Sequence, residues 1–411
     1  MTMDKAPKPL LLHVLRNDAL GGLEQSTLEV ARYFATRGVR QHLLIMSPID
    51  AGISERFAEA GIEVSSIPFN KSNALGFIRA YRRLVRRLQP DIQLVSGAFG
   101  LHALLAMLGR FAGIRHCWTY LIMGPASHGL PWAVQTVMGQ VARLFARGEI
   151  SVSGYLRRTF NKELFLPLKR IHVVSRWRPI QKIADLAQEA RSRRTGDHPV
   201  ISTAGRLDWM KDFPGMVEGF ARFAQVVPTA RFQIVGEGPL RADLEAQVES
   251  LGISDKVDFL GFRRDVPAIL GGSDIFLFST SPTEGIGNVL VEAMAAGTPV
   301  VCTDIGPCAE VLGNGKAGIL VPPKSPERMA QAMLDLWNDP ARRRQLSQQA
   351  RDFAHGRYSM EKCGAQLYEL IVVGCLHEKE RTLAYDAAAE KGHQLGLLLA
   401  SSVSLFSVFF D

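Results

Sequence analysis

The chain has 411 residues, of which 47% are hydrophobic and 21% are charged, and its formal net charge is +8 at pH 7. This composition is that of a globular protein and excludes a disordered or fibrous chain. The length exceeds that of one ordinary core, so we expect about two or three domains. The five cysteines form no Cys-x-x-Cys pair and are predicted to be reduced, buried residues of a cytosolic protein.

Charge is divided unevenly between the two halves. Residues 1–185 carry 25 Lys and Arg against 12 Asp and Glu, a net +13, while residues 186–411 carry 23 against 28, a net −5. Such an excess suits an anionic partner of the first half, namely a membrane surface, a phosphorylated acceptor or nucleic acid. A solubilising excess explains the composition equally well, and both interpretations stay open.

The first half alternates apolar strands with amphipathic helices. The run Leu10–Leu15 leads into a glycine turn at Gly21 and Gly22, and a helical pattern follows from Glu24 to Thr36. Later units of the same kind are predicted as a strand at 42–46, a helix at 54–60, a strand at 93–96 and a helix at 101–111. This alternation predicts a doubly wound parallel sheet with helices on both faces.

The pattern starts again after the polar, basic stretch 191–198. Val200 to Gly205 is a strand that ends in a glycine turn, and a helix is predicted over 213–223. Short strands follow at 232–235, 257–260, 275–278, 299–302 and 318–321. The fold class is therefore α/β, with two Rossmann-like domains that face each other across a cleft, where open sheets of this kind bind ligands.

The most informative segment runs from Glu284 to Glu292. A strand ends before it, glycines occupy positions 285 and 287, and a helix is predicted to begin near Gly287. Backbone N–H groups at a helix start favour phosphate or polar sugar groups, and glycine permits close approach. Two helical turns separate the two carboxylates, so both can face one cavity. Taken alone, a helix cap and a solvated glutamate explain the pair as well.

A second cluster, Gly205 to Pro214, follows the first strand of the second domain and carries Arg206 and Lys211. An arginine that binds in bidentate fashion and a lysine that acts as a point charge can clamp a diphosphate. The alternative is that both cations pair with Asp208 and Asp212 at the surface.

Together these clusters resemble the retaining glycosyltransferases of family 4, which have the two-domain GT-B fold. The resemblance spans roughly residues 10–375 and is densest over 200–325. Its parts occur in the order of the family: Gly205-Arg206 with Lys211, Val235-Gly-Glu-Gly238-Pro, Phe259-Leu-Gly261-Phe262, Glu284-Gly-Ile-Gly287 with Glu292, Gly297-Thr-Pro299-Val, Glu310 and Gly318-Ile-Leu-Val-Pro322.

The resemblance implies a role for each matching residue. Arg206 and Lys211 would bind the diphosphate of a nucleotide-sugar donor, UDP- or GDP-linked, and Glu292 would bind ribose hydroxyls. Glu284 and the backbone of Gly285, Ile286 and Gly287 would hold the sugar. The backbone of Phe262 and Arg263 would lie near the base, and Gly21 and Gly22 would lie under the phosphates near the acceptor.

The sequence departs from the family on the acceptor side. Members often carry a histidine or an acidic residue where this chain has Met123, and the expected asparagine-glycine turn is replaced by Ser175-Arg-Trp-Arg178. His128 is a candidate catalytic or acceptor-binding residue, with His102 as a second candidate, and a structural role is the alternative for both. The acceptor is therefore left open, as is a pseudoenzyme.

The implied reaction is transfer with retention, in which the cations stabilise the departing nucleotide diphosphate. No cofactor is expected. Because the chain contains no Asp-x-Asp, no metal is expected to hold the donor diphosphate. The domain prediction assigns residues 1–185 to the acceptor side and 198–360 to the nucleotide-sugar domain. Residues 361–376 are predicted as a helix that crosses back to the first domain, and residues 377–411 as a tail of unknown structure.

Five arginines, at positions 79, 82, 83, 86 and 87, share one predicted helical face. Such a face can dock on anionic lipid, at about 1 kcal/mol for each residue, or can be a solvated face. The uncharged run 395–410 is shorter than the roughly 20 residues of a membrane span, and no signal peptide is predicted. We therefore expect a cytoplasmic protein, with peripheral contact at the inner membrane face as a further hypothesis.

The leading prediction is a glycosyltransferase that builds a surface polysaccharide or a lipid-linked glycan. A nucleotide-sugar epimerase of the same architecture is the alternative enzyme. A dehydrogenase is disfavoured, since no Gly-x-Gly-x-x-Gly follows a strand. A basic nucleic-acid-binding protein is a further alternative, prompted by the positive charge of the first half. The chain has no recognisable binding module of that kind, so nucleic acid is not expected as a partner.

Overall fold

The computed structural model describes residues 8–16, 22–48, 51–96, 101–125, 129–282 and 285–378. In these ranges the strands form two parallel sheets, each covered by helices on both faces. This confirms the predicted α/β class with two doubly wound domains. The predicted site residues Gly21, His128 and Glu284 lie outside the described ranges.

The sheet of the first domain has the strand order β3-β2-β1-β4-β5-β6-β7. Its strands are β1 (Leu10–Leu15), β2 (Arg40–Ile45), β3 (Glu63–Ser66), β4 (Ile92–Ser96), β5 (His116–Leu121), β6 (Gly148–Ser151) and β7 (Ile171–Val173). Its helices are α1 (Gly22–Thr36), α2 (Ala51–Ala58), α3 (Ala74–Leu88), α4 (His102–Phe111), α5 (Gly129–Phe145) and α6 (Gly154–Leu164). The central strands are apolar and buried on both faces, as strands of a covered parallel sheet must be.

The second sheet has the order β10-β9-β8-β11-β12-β13. Its strands are β8 (Val200–Ala204), β9 (Arg231–Val235), β10 (Val257–Gly261), β11 (Ile275–Phe278), β12 (Val300–Thr303) and β13 (Ile319–Val321). The helices of this half are α7 (Ile180–Ser192), α8 (Phe213–Val226), α9 (Arg241–Ser250), α10 (Val266–Gly271), α11 (Asn288–Ala296), α12 (Gly306–Val311), α13 (Pro326–Asn338) and α14 (Pro340–Tyr358). In this order the neighbouring strands β8 and β11 lie at the centre, where chain connections leave in opposite directions and a crevice forms.

The chain passes between the domains twice. After β7 it enters α7, which packs against α10 and α11 of the second domain. After α14 it returns through α15 (Met360–Tyr368), which packs against α1 of the first domain. The rings of Phe34 and Tyr368 meet edge to face, with their centroids 5.7 Å apart. The two connections place the carboxyl ends of both sheets opposite each other.

Two further predictions concern the cysteines and the membrane. All five cysteines are buried thiols outside any disulfide, as their apolar surroundings predict. Burial raises the pKa of the Cys363 thiol to about 11. Among the described residues, no helix combines the length and the apolar character needed to cross a bilayer.

Candidate functional site in the interdomain cleft

The basic loop, residues 205–212, follows β8 directly and is held in place by its backbone. Gly205 N donates to Val235 O at 3.0 Å, and Leu207 N donates to Glu237 O at 3.0 Å. On the other side, Lys211 forms an isolated bridge with Thr280, just beyond β11. The loop is thus anchored between the carboxyl ends of β9 and β11, the two strands that flank β8.

The two cations of this loop have different surroundings. The Arg206 side chain is 74% exposed, and its Nε lies 3.6 Å from a carboxylate oxygen of Asp208. Lys211 Nζ lies 4.7 Å from the centroid of the Phe278 ring, at the end of β11. The alternative of surface pairing therefore applies to Arg206. Asp212 instead caps α8, since its carboxylate accepts from Gly215 N at 3.2 Å.

Two glycines of the sequence motif Val235-Gly-Glu-Gly238 allow this arrangement. A Cβ atom added to Gly236 would lie 1.9 Å from Gly205 O, and one added to Gly238 would lie 2.3 Å from Leu207 O. Any larger residue at either position would displace the basic loop. The motif was predicted only as part of the family pattern. In the structure its two glycines pack against the backbone of the basic loop.

The glycine-led helix begins where it was predicted. Gly287, with φ +56°, is the residue before α11, and a Cβ added there would lie 3.2 Å from the Phe278 ring. The Phe278 ring, which lies under the Lys211 ammonium group, is therefore also close to the start of α11. The first N–H groups of a helix have no partner within the helix and form a site for anions. Lysine and helix start thus converge at the end of β11.

Glu292, about one turn into α11, has a partner from outside its own helix. Its Oε1 accepts a hydrogen bond from Nη2 of Arg178, which belongs to the segment that connects β7 with α7. Both side chains are largely buried, 15% exposed for the glutamate and 8% for the arginine. Sequence reasoning placed Glu292 at the cavity but missed this partner. The replacement of the expected turn by Ser175-Arg-Trp-Arg178 was the available signal.

The cleft is closed by direct contacts between the domains. Asn288 Nδ2 donates to Ser26 Oγ at 3.2 Å, which joins α11 to α1. A Cβ added to Gly285 would lie 2.1 Å from Ile122 O, so only glycine permits the two loops to touch. Gly285 and Ile286 are consequently buried.

A second closing contact lies at the N-terminus of α6. Gly154 N donates to Glu310 Oε1 at 2.7 Å, and Tyr155 N donates to Oε2 at 2.5 Å. A carboxylate at a helix N-terminus is favourably placed with respect to the helix dipole. Glu310, which was named only for its position in the family pattern, therefore joins the second domain to the first.

The predicted base side of the site lies beyond β10. Phe262 is largely exposed, and Arg263 forms two hydrogen bonds with the carboxylate of Asp265, one of them Nε to Oδ1 at 2.8 Å. This pairing raises the pKa of Arg263 and lowers the pKa of Asp265. The arginine side chain is thus held by its neighbour, which leaves the backbone of this segment as the part predicted to lie near the base.

On the acceptor side, Gly22 begins α1 and Met123 is 45% exposed just after β5. His102 is buried at the start of α4, and burial lowers the pKa of its imidazole to about 4. An imidazole with this pKa is neutral at pH 7 and suits a structural role. The loops that carry Gly21 and His128 lie outside the described residues.

Comparisons with known proteins agree on one kind of protein. Residues 186–353 match the family model described as "Glycosyl transferases group 1". Residues 21–177 match the model described as "Glycosyl transferase 4-like domain". The two matched ranges together cover most of the chain, one in each domain.

Curated relatives match across both domains. An alpha-D-kanosaminyltransferase of Streptomyces kanamyceticus is 24% identical over 81% of this chain and 95% of its own length. A 2-deoxystreptamine N-acetyl-D-glucosaminyltransferase of Streptomyces fradiae is 27% identical over 84% of this chain and 89% of its own length.

Solved structures share the fold. HepE of Anabaena, crystallised in complex with UDP and glucose, has a TM-score of 0.77 at 19% identity and covers 88% of this chain and 98% of its own. A glycosyltransferase of Rickettsia africae has a TM-score of 0.75 at 17% identity and covers 89% and 98% of the two chains. At such identities the likeness concerns the fold.

Proposed function

This chain belongs to family 4 of the glycosyltransferases and has the GT-B fold, and we propose that it transfers a sugar from a nucleotide-diphosphate donor with retention at the anomeric carbon. The acceptor is a glycan or a lipid-linked sugar. The observation that carries the proposal is the convergence at Phe278, where the Lys211 ammonium group and the glycine-led start of α11 contact one ring. This arrangement offers a point charge and helix N–H groups to a single anion.

The roles follow from the charges and from the resemblance. Lys211 and Arg206 stabilise the negative charge that grows on the leaving diphosphate while the sugar becomes oxocarbenium-like. The backbone at Gly285 and Gly287, with Glu284, holds the sugar, and Glu292 accepts from the ribose hydroxyls. A nucleotide-sugar donor is supported by the similarity to HepE, whose crystal structures contain UDP or UDP-glucose.

A role in surface polysaccharide synthesis is supported by one further relative. The lipopolysaccharide core glycosyltransferase LpsE of Rhizobium meliloti is 28% identical over 47% of this chain and 55% of its own length.

Peripheral contact with an anionic membrane is part of the proposal and rests on the outer helices of the first domain. The five arginines of α3 are exposed, while Phe77, Tyr81, Leu84 and Val85 pack inward. In the same layer, α5 packs on α4 and exposes an apolar row, Leu130, Val134, Val137 and Leu144. A cationic helix and an exposed apolar helix, both packed on α4, suit the headgroup region of a bilayer.

The test begins with a thermal-shift screen of the protein against UDP-, GDP-, ADP- and TDP-linked sugars. We expect stabilisation by one nucleotide class, and no shift with any of them would contradict the donor site. The donor that binds is then incubated alone and with candidate acceptors. Conversion of the donor sugar without acceptor would favour the epimerase, and the anomeric coupling constant of a transfer product reports retention.

A further inference from the structure

The segment that connects β7 with α7, residues 174–179, carries two buried arginines, Arg176 and Arg178. Arg178 N donates to Tyr358 O at 3.2 Å, and Arg178 O accepts from Ile180 N at 2.8 Å. The backbone is therefore fixed between the start of α7 and the end of α14, where both chain connections between the domains meet. The Arg178 side chain extends from this point to α11.

The guanidinium group of Arg178 has one charged partner among the described residues. Its Nη2 donates to Glu292 Oε1, whereas its Nε and Nη1 have no hydrogen-bond partner within the described ranges. Because a buried charge is costly without a partner of opposite sign, the arginine and the glutamate restrain each other strongly. The carboxylate of Glu292 is thus held by the connecting segment as well as by its own helix.

We propose that Arg178 is a positioning residue of the nucleotide site, which holds Oε1 of Glu292 so that Oε2 faces the ribose hydroxyls of the donor. Within the described ranges Oε2 has no recorded partner. A glutamate side chain has three rotatable bonds, and fixing one oxygen removes most of their freedom before the nucleotide arrives. This inference rests on the proposed role of Glu292 and adds how the chain achieves it.

The consequence is selectivity for an intact ribose. A carboxylate that is held in one orientation accepts well from hydroxyls at one place, and a nucleotide that lacks a hydroxyl leaves the buried acceptor unpaired. Deoxynucleotides should therefore bind less well than ribonucleotides, and this preference should depend on Arg178. A mobile Glu292 would adapt to either sugar and lose the distinction.

The same segment contains a matched control. Arg176 is equally buried, but its guanidinium carbon lies 4.7 Å from the centroid of the Tyr120 ring and its Nη1 donates to Leu23 O at 3.3 Å. Burial lowers the pKa of Arg176 to about 10. Replacing Arg176 therefore removes a buried arginine two positions from Arg178 but leaves the hydrogen bond to Glu292 in place.

The experiment is calorimetric titration with UDP, 2′-deoxy-UDP and 3′-deoxy-UDP, and with the corresponding guanosine nucleotides. The proteins are the wild type and the variants Arg178→Met, Arg178→Lys, Arg176→Met and Glu292→Gln. We expect the wild type to prefer the ribonucleotide by about 10-fold or more, the size of one hydrogen bond to a charged group. Arg178→Met and Glu292→Gln should reduce the preference to about twofold. Arg176→Met should keep it.

Equal weakening of all three nucleotides in Arg178→Met, with the preference intact, would overturn the inference and leave Arg178 as a structural residue. If Arg178→Met does not fold, Arg178→Lys decides, since its shorter side chain should lower the preference and a full preference would count against the proposal. Failure of the wild type to bind the uridine or the guanosine nucleotides would instead contradict the proposed UDP- or GDP-linked donor.

Discussion

Two groups of cations illustrate how the domains differ. Arg206 and Lys211 belong to a loop that is anchored between two strands, and Lys211 shares the Phe278 ring with the start of α11. The five arginines of α3 lie side by side on an exposed helical face, and none of them is recorded in an ion pair with a described residue. The first group converges on one point, whereas the second spreads its charge over a surface.

The difference concerns what each group can bind. Convergent donors on a fixed backbone select one small anion, because their geometry is set before the ligand arrives. A spread face attracts any extended negative surface, and its contribution falls as salt concentration rises. The number of charges alone does not reveal the site for a small anion. The first domain has the greater positive charge, but the convergent cations lie in the second domain.

The largest effect is expected at the convergent group. Lys211→Ala should lower transfer by about 100- to 1,000-fold, because a fixed charge opposite the leaving diphosphate is lost. The melting temperature should change little. Transfer is measured with the donor found in the screen, and Lys316→Ala, an exposed lysine of the same domain, is the control. A Lys211→Ala enzyme with normal turnover would place the diphosphate elsewhere.

The next effect concerns the contact between the halves. In Gly285→Ala the added methyl group would lie 2.1 Å from Ile122 O, so the domains must separate. A displacement of about 1 Å can cost about 100-fold in rate. Gly356→Ala, on α14 with no atom near the added methyl group, should leave transfer unchanged. Steady-state kinetics of both variants decide, and normal activity of Gly285→Ala would show that this contact is dispensable.

The exposed arginines of α3 should affect binding to anionic membranes. Replacement of Arg82 and Arg86 by glutamine should weaken binding to vesicles with anionic lipid by about 30-fold, from about 1 kcal/mol for each arginine. Exposed Arg342 and Arg344 of the second domain, changed in the same way, serve as the control. Vesicle co-sedimentation measures the effect. Equal binding by both double variants would mean that α3 does not contact the membrane.

The smallest effect is a pH dependence confined to the first domain. Burial lowers the pKa of His13 and of His102 to about 4 from 6.5. Each neutral imidazole therefore contributes stability that is present above pH 6.5 and is lost as the pH falls toward 4, by about 1 kcal/mol per pH unit. Hydrogen exchange at pH 7 and pH 5 should show faster opening of β1 and α4 at the lower pH. An equal change in β8 and β11 would contradict this assignment.

The strands that are buried on both faces were predicted best. Leu10–Leu15 and Ile275–Phe278 have the predicted bounds, because a strand covered on both faces is a continuous apolar run. The helix predicted at 54–60 begins at Ala51 instead. The strands Glu63–Ser66 and Gly148–Ser151 were not predicted. The first is a half-exposed edge strand, and the second contains a buried Glu149, so neither has an apolar pattern.

In the candidate site, the features set by local sequence were predicted, whereas the contact between distant residues was not. The glycine-led start of α11 and the loop of Arg206 and Lys211 lie next to strands, so their placement at the strand ends follows from the chain itself. The pair of Arg178 with Glu292 joins residues 114 positions apart. No local pattern predicts such a pair, because it depends on how the two domains are oriented.

The sequence by itself determined the α/β class, the two domains and the family, since hydrophobic periodicity and ordered glycine motifs act over short stretches of chain. Only the tertiary structure decided that Gly285 meets Ile122, that Glu310 caps α6 and that Arg178 holds Glu292. These contacts are formed between surfaces of different domains. Their energies depend on distance and burial, which the order of residues does not specify.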